Sequence, residues 1–157
     1  MTESWMEELT KQERLDTVFM NFCRELATLS HCVRNQVGSV ITVNNRVVAT
    51  GWNGSAPGMI NCDNHFAPRI GALLIENPTW SRDDVLQSDV FKAEHGDWSK
   101  REIHAEQNAI LQAAKNGTTV DGGTVYVSLS PCIDCAKALL VSGITRVVYG
   151  KEYERDP

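Results

Sequence analysis

His104-Ala105-Glu106-Gln107-Asn108-Ala109-Ile110 and, further on, Tyr126-Val127-Ser128-Leu129-Ser130-Pro131-Cys132-Ile133-Asp134-Cys135-Ala136-Lys137 decide the reading of this chain. His104 to Lys115 is predicted as a helix stopped by Asn116-Gly117, with Ala109, Ile110, Ala113 and Ala114 toward a sheet. Cys132 to Val141 is predicted as a second helix, ending at Ser142-Gly143. Thr124 to Leu129 and Ile144 to Tyr149 read as the strands that alternate with them. Cys132 and Cys135, three apart on a helix, share a face and can reach one ion. A helix N-terminus lowers thiol pKa and favours the thiolates that bind metal. One imidazole and two thiolates leave the fourth position of a tetrahedral zinc open for water, the mark of a catalytic rather than a closed site. Zinc lowers the pKa of such a water to about 7. Glu106 stands two residues from His104 and can move that water's protons, work that typically contributes about 10²–10⁴-fold. Cys132-x-x-Cys135 alone would also suit half of a closed zinc knuckle or a redox pair. A knuckle wants a fourth ligand at ordinary spacing, and none lies close in sequence; a redox pair has no use for His104-Ala105-Glu106.

Upstream, Lys11 to Ser30 is predicted as an amphipathic helix, with Leu15, Val18, Phe19, Phe22, Leu26 and Leu29 on its apolar face. Cys23, at helical spacing from Phe19 and Leu26, reads as a small buried residue. Val37 to Val43 and Arg46 to Trp52 read as the strands of a hairpin, with Asn44-Asn45 as a turn able to take positive φ. From 53 to 100 the periodicity is weak, and Pro68 to Glu76 and Arg82 to Lys92 are the candidate helices. A connection this long is uncommon unless functional or disordered. Trp52, Trp80 and Trp98 could stack on a base, but tryptophans in such an insert more often form a small satellite core. The early hairpin supplies an antiparallel portion and the late helix–strand alternation a parallel one, so the expected architecture is a mixed sheet with helices on its faces.

At 157 residues, 42% apolar and 22% charged, the chain fits one domain with a real core. A net charge of −5 and a pI of about 5.3 argue against a broad nucleic-acid surface. They leave room for a small basic pocket holding one phosphate. No apolar run approaches the ~20 residues of a membrane span. The acidic start, Met1-Thr2-Glu3-Ser4-Trp5-Met6-Glu7-Glu8, is unlike a signal peptide, so an unprocessed cytoplasmic protein is expected. Five cysteines in such a chain are expected on metal rather than in disulfides.

The H-x-E … P-C-x-x-C spacing is the signature of zinc-dependent nucleobase deaminases. By itself it also admits cytidine, guanine, tRNA and riboflavin-pathway deaminases. Arg34-Asn35-Gln36-Val37-Gly38-Ser39-Val40-Ile41, Thr50-Gly51-Trp52-Asn53-Gly54 and Asn61-Cys62-Asp63 narrow the choice. With them the chain resembles the deoxycytidylate (dCMP) deaminase family, most of all its bacteriophage members, from about Ser30 to Tyr153. The resemblance implies a three-layer α/β/α cytidine-deaminase-like fold with a mixed, roughly five-stranded sheet, and a single deaminase domain over 1–157. It implies hydrolytic deamination of dCMP to dUMP and ammonia, feeding thymidylate supply. Water adds to C4 of the base, and Glu106 moves protons between water, ring N3 and departing ammonia. Backbone groups of Ala105 and Ser130 would meet the base edge, and Asn53 a deoxyribose hydroxyl. Tyr153, with Lys151 or Arg155, would hold the phosphate. Arg34, Gly51, Trp52, Asn53 and Gly54 would meet triphosphate effectors, dCTP with Mg²⁺ activating and dTTP inhibiting, in a homohexamer. For a phage protein the compartment would be the host cytoplasm.

The same resemblance implies a second, structural zinc on Cys32, Cys62, His95 and Glu102, pinning the 53–100 insert. Physically, a loop poor in apolar residues gains folding free energy from a metal. On the residues alone, His65 competes for a ligand position, and Cys32, Cys62 and His95 could equally be two reduced thiols and a surface histidine. The competing functions are another cytosine-type deaminase, acting on free cytidine or a polynucleotide base, a non-catalytic nucleotide sensor on the same fold, and a zinc-stapled interaction module. A polynucleotide editor would want basic grooves and aromatic platforms, which this acidic chain does not show clearly. A silent sensor would be signalled by loss of Glu106 or of a zinc ligand, and His104, Glu106, Cys132 and Cys135 are all present.

Overall fold

The turn at Asn44-Asn45 sets the first half of the sheet. Both residues take positive φ, 50° and 60°, the geometry that matches the twist of a two-residue hairpin. It joins β1 (Gly38–Val43) to β2 (Arg46–Trp52), antiparallel, with one irregularity in register between Ile41 and Thr42. The structure, a computed structural model, describes residues 9–152. β5 (Thr124–Val127) lies antiparallel on the other side of β1, and β6 (Arg146–Tyr149) runs parallel to β5. The order β2-β1-β5-β6 makes four strands where roughly five were expected. Two further short strands, β3 (Gly54–Ser55) and β4 (Glu102–Ile103), pair with each other in a separate ribbon.

Alternation along the strands divides the core into two layers. Ile41, Ala49 and Val125 face α5 (Ala105–Lys115) and α6 (Ile133–Val141) through Ala109, Ala113 and Leu139. Val40 and Tyr126 face the opposite way, against Phe19, Met20, Cys23 and Leu26 of α1 (Lys11–Ala27). The three-layer α/β/α expectation therefore holds. Helix α1 begins at a capping box, in which Glu13 N donates to Thr10 Oγ1 and Thr10 N donates to Glu13 Oε2. Its buried face is rotated from the expected one: Val18, Phe22 and Leu29 are exposed, while Met20, Cys23 and Ala27 are buried. The cause is close approach. A Cβ on Gly38 would lie 2.0 Å from the Cys23 carbonyl oxygen, so the helix meets β1 along its small residues. Cys23 is buried as expected, and its Sγ donates to the Tyr126 carbonyl at 3.2 Å. On α5, Ala114 is exposed rather than turned to the sheet.

The insert is more ordered than its sequence suggested. α2 runs Cys62–Glu76, starting six residues before Pro68, which sits inside it. An interior proline costs a helix about 3 kcal/mol; Phe66, Ile70 and Leu73, buried on both sides of it, offset that loss. The expected helix over 82–92 is two, α3 (Arg82–Gln87) and α4 (Asp89–Trp98). Ser88 adopts an extended conformation between them, ending one and accepting from Phe91 N to start the next. The three helices share a core of Phe66, Ile70, Leu73, Val85, Phe91 and Trp98, with Trp80 packed against it and Cys32 and Cys62 at its margin. This is the satellite core expected for Trp80 and Trp98. Among the described residues no helix is long and apolar enough to cross a membrane.

Candidate active site and metal centres

α5 and α6 lie beside each other on the sheet and present their N-termini at one place. His104 and Cys132 are the N-cap residues of the two helices, both extended, rather than members of the first turns. Cys135 follows inside the first turn of α6. His104 Nδ1 lies 3.5 Å from Cys132 Sγ and 3.3 Å from Cys135 Sγ. Tetrahedral zinc with bonds of about 2.3 Å to sulfur and about 2.0–2.1 Å to nitrogen separates S and N by about 3.6 Å, so these residues fit that ion with little movement. The partial positive charge of two helix N-termini favours the thiolates there.

Glu106, in the first turn of α5, is 4% exposed. Burial raises its carboxyl above the usual carboxylate range, against the lowering pull of its own backbone N–H and of His104. The buried Cys135 thiol is pushed up by burial and then by the nearby Glu106 and Cys132. The buried Glu106 and Cys135 and the half-buried Cys132 gather negative charge that a divalent cation satisfies.

A second set lies where the insert meets the domain. Cys32 Sγ and Cys62 Sγ each lie 3.5 Å from His95 Nε2, again the separation expected across one zinc. Glu102 completes the group, and all four ligand atoms lie within 4.8 Å of one another. Glu102 Oε1 is buried with no hydrogen-bond partner among the described residues, the condition of a carboxylate placed for a metal. Burial first, and the adjacent Cys32 second, push this carboxyl up to about 8. The hydrogen bond between the two thiols holds Cys32 low and Cys62 high. His65 is not part of the group. It is exposed and stacks on Trp98, ring centroids 5.0 Å apart. His31 is likewise turned away, with its Nδ1 2.8 Å from Asp63 Oδ2. The two sets of four and three residues named from the sequence are thus the two that the fold brings together.

Both sets open on one cleft, lined by Cys32, His95 and Glu102 on one side and by His104 and Cys132 on the other. Asn53, Ala105, Glu106 and Ser130 line it, as expected, and so does Arg34. The Asn53 amide is engaged with the chain itself: Val37 N donates to its Oδ1 at 2.9 Å, and its Nδ2 donates to the Asn35 carbonyl at 2.8 Å. One acceptor lone pair and one donor hydrogen of that amide remain for a ligand. Ser130 N is used by the Lys151 carbonyl at 2.7 Å, so the Ser130 N–H does not serve a base edge. Of the residues assigned to an effector, Arg34 and Asn53 reach the cleft and the other three do not. A Cβ on Gly51 would lie 2.3 Å from the Ala105 carbonyl oxygen, so this glycine permits approach of α5 rather than of a nucleotide. Trp52 is exposed, with its carbonyl accepting from Asn108 Nδ2 at 2.7 Å. Gly54 belongs to the β3–β4 ribbon. Tyr153 and Arg155 lie outside the described residues. Lys151 joins His31, Arg34 and Arg82 around a shallow groove beside the cleft. The sequence reading missed Asn35, Val37, Ser99 and Leu129 as cleft residues. Asn35, Val37 and Leu129 lie in the stretches that carry the resemblance, which was the one signal that could have found them.

The model of the cytidine and deoxycytidylate deaminase zinc-binding region matches residues 13–151. The deoxycytidylate deaminase of Enterobacteria phage T2 is 42% identical over 142 residues, covering 81% of this chain and 74% of that protein. The phage T4 enzyme of the same name is 41% identical over 140 residues, covering 81% of this chain and 72% of that protein. Among solved structures, the dCMP deaminase of cyanophage S-TIM5 in complex with dCMP and dUMP superposes with a TM-score of 0.64. It is 26% identical and covers 94% of this chain and 88% of its own. Since the match spans residues 13–151, including both helix N-termini that carry the His104 ligand set, the chain belongs to the cytidine and deoxycytidylate deaminase family.

Proposed function

We propose that this chain catalyses hydrolytic deamination of dCMP to dUMP and ammonia. The observation that carries the reading is the convergence of His104, Cys132 and Cys135 on one point beside the buried carboxyl of Glu106. The names of the phage relatives, and the dCMP and dUMP bound by the cyanophage neighbour, support the substrate. His104 Nδ1, Cys132 Sγ and Cys135 Sγ would hold a zinc ion, which would supply the Lewis acidity that brings a water's pKa toward about 7. Glu106 takes a proton from the attacking water and gives it to ring N3 as C4 becomes tetrahedral. It then carries the second proton to the exocyclic amine. The C4–N bond breaks, ammonia leaves and the C4 carbonyl remains. The narrow, half-buried cleft keeps the base against α5, and the Asn53 amide fixes the Asn35–Val37 wall beside it.

The second set, Cys32, Cys62, His95 and Glu102, is proposed to hold a structural zinc. Activation by dCTP with Mg²⁺, inhibition by dTTP, a homohexamer and a place in a host cytoplasm complete the proposal. Arg34 and the cationic groove it shares with Arg82 and Lys151 are the contacts offered to phosphate.

The test is ammonia release from dCMP, CMP, deoxycytidine and cytidine by zinc-replete protein, with and without dCTP and Mg²⁺. Turnover of dCMP, raised by dCTP and abolished in Glu106→Ala, is the expected result. Turnover of none of the four would sink the proposal.

A further inference from the structure

Glu102 and His104 belong to different ligand sets, yet only Ile103 separates them. Both have extended backbone, φ −79° and ψ 141° for Glu102, φ −70° and ψ 155° for His104. Side chains two apart on an extended chain leave the same side. One short segment therefore delivers a ligand to each centre. That segment, β4, is outside the main sheet: its strand partner is β3, through Gly54↔Ile103 and Ser55↔Glu102. An isolated two-stranded ribbon is marginal in water. It gains its fixed place from what flanks it, namely the Cys32 set through Glu102 and the α5 N-terminus through His104. β3 in turn follows Asn53, whose amide clamps Asn35 and Val37. The loop so clamped starts at Cys32 and carries Arg34 and Asn35 into the cleft.

We infer that the Cys32–Cys62–His95–Glu102 set is a positioning centre for the active site as well as a staple for the helical insert. Metal there fixes β4, and β4 fixes His104, so the second centre raises the affinity of the His104–Cys132–Cys135 set for its own metal. The inference rests on the reading of both sets as zinc centres. Coupling between two binding events is reciprocal, so each centre strengthens the other by the same factor. Groups that orient metal ligands typically contribute about 10–100-fold to metal affinity, which sets the expected size.

Cys62→Ser is the first variant, because Cys62 lies on α2 and is not among the residues that line the cleft. Zinc equivalents are counted, and the remaining catalytic zinc is titrated against a chromophoric chelator. Arg69→Ala is the control for a loosened insert, since Arg69 Nε and Nη2 grip Glu94 between α2 and α4 without touching either centre. Cys132→Ser gives the reciprocal measurement at the second centre. The expected result is a loss of at least about 10-fold in catalytic-site zinc affinity in Cys62→Ser, an equal loss at the second centre in Cys132→Ser, and wild-type affinities in Arg69→Ala. KM for dCMP should rise in Cys62→Ser reloaded with zinc, because the Arg34–Asn35 wall loses its anchor. Should Cys62→Ser not fold, ¹¹³Cd NMR of wild-type protein decides the matter. At half-stoichiometric metal, a singly loaded share below the statistical half supports coupling, and a share at or above it overturns the inference. Wild-type affinity at the catalytic site of Cys62→Ser also overturns it, as does an equal loss in Arg69→Ala. These measurements need no turnover. Coupled sites in a protein inert toward dCMP would refute the proposed substrate alone, and independent sites in an active deaminase would refute the coupling alone.

Discussion

Replacing Gly51 by alanine should disable the chemistry without touching a ligand. The added Cβ would stand 2.3 Å from the Ala105 carbonyl oxygen and 2.6 Å from Ala109 N, against ordinary contact from 3.4 Å. These are backbone atoms, so no side-chain rotation relieves the clash. Either α5 or β2 must retreat by about 1 Å. Strand β2 is held through its ladder with β1. Retreat of α5 shifts its first turn, which carries Glu106 with His104 just before it. A misplacement of about 1 Å at a catalytic group can cost about 10²-fold in rate. Overpacking of this kind also costs about 1–3 kcal/mol, or roughly 3–10 °C in Tm for a chain of this size. Steady-state ammonia release at saturating dCMP, zinc counting and calorimetry on the same preparation make the assay. A kcat within twofold of wild type at full zinc content would refute the argument and show that β2, not α5, yields.

Glu106→Gln should keep its zinc and lose about 10²–10⁴-fold in kcat, read in the same assay, because the amide keeps the shape but not the proton shuttle. Asp16 accepts from Tyr126 Oη at 2.7 Å and from Arg146 Nη1 and Nη2 at 2.8 and 2.6 Å, tying α1 to β5 and β6. Asp16→Ala should lower stability by about 2 kcal/mol in urea titrations at pH 7, a figure reduced for the partly exposed Arg146. The Arg146 guanidinium holds the Asp16 carboxyl well below the usual range, so its contribution is complete above the unfolded pKa near 3.9 and fades as pH falls through the depressed folded value. Acid unfolding below about pH 4 should accordingly flatten in the variant. Gly71→Ala, on α2 where an added Cβ meets nothing within 4 Å, should raise stability by about 0.5–1 kcal/mol, measured in the same urea series.

His104, Cys132 and Cys135 were legible because their chemistry is local: each sits at a helix start, and Glu106 has a use only beside an open metal position, whereas Cys32, Cys62, His95 and Glu102, scattered over a loop, two helices and a strand, were named only from the resemblance. The helix–strand order around them was legible for the same reason. The apolar face of α1 was not, because Gly38 selects the small residues Cys23 and Ala27 for contact, and no count of large apolar residues reveals a close approach. The helices of the insert were legible only in part, because their apolar residues pack on one another across the insert, as Phe66 does on Phe91, and a proline in mid-helix argued against the true start. The separate β3–β4 ribbon, two residues on each side, carries no periodicity at all. Gly51 was read as permissive toward a ligand when its neighbour is α5, a distinction that only packing can make.

β1 is the central strand, yet its two neighbours are made far apart: β2 ends at Trp52 and β5 starts at Thr124. On a ribosome adding about 5–20 residues per second, the hairpin would wait roughly 4–14 s with one side of β1 unpaired. During that interval Val40 and Ile41 stand on an open edge, the kind of surface that other nascent chains can join. Helix α1, already made and packed on Val40, covers one face of β1 in that interval and leaves Ile41 waiting for α5.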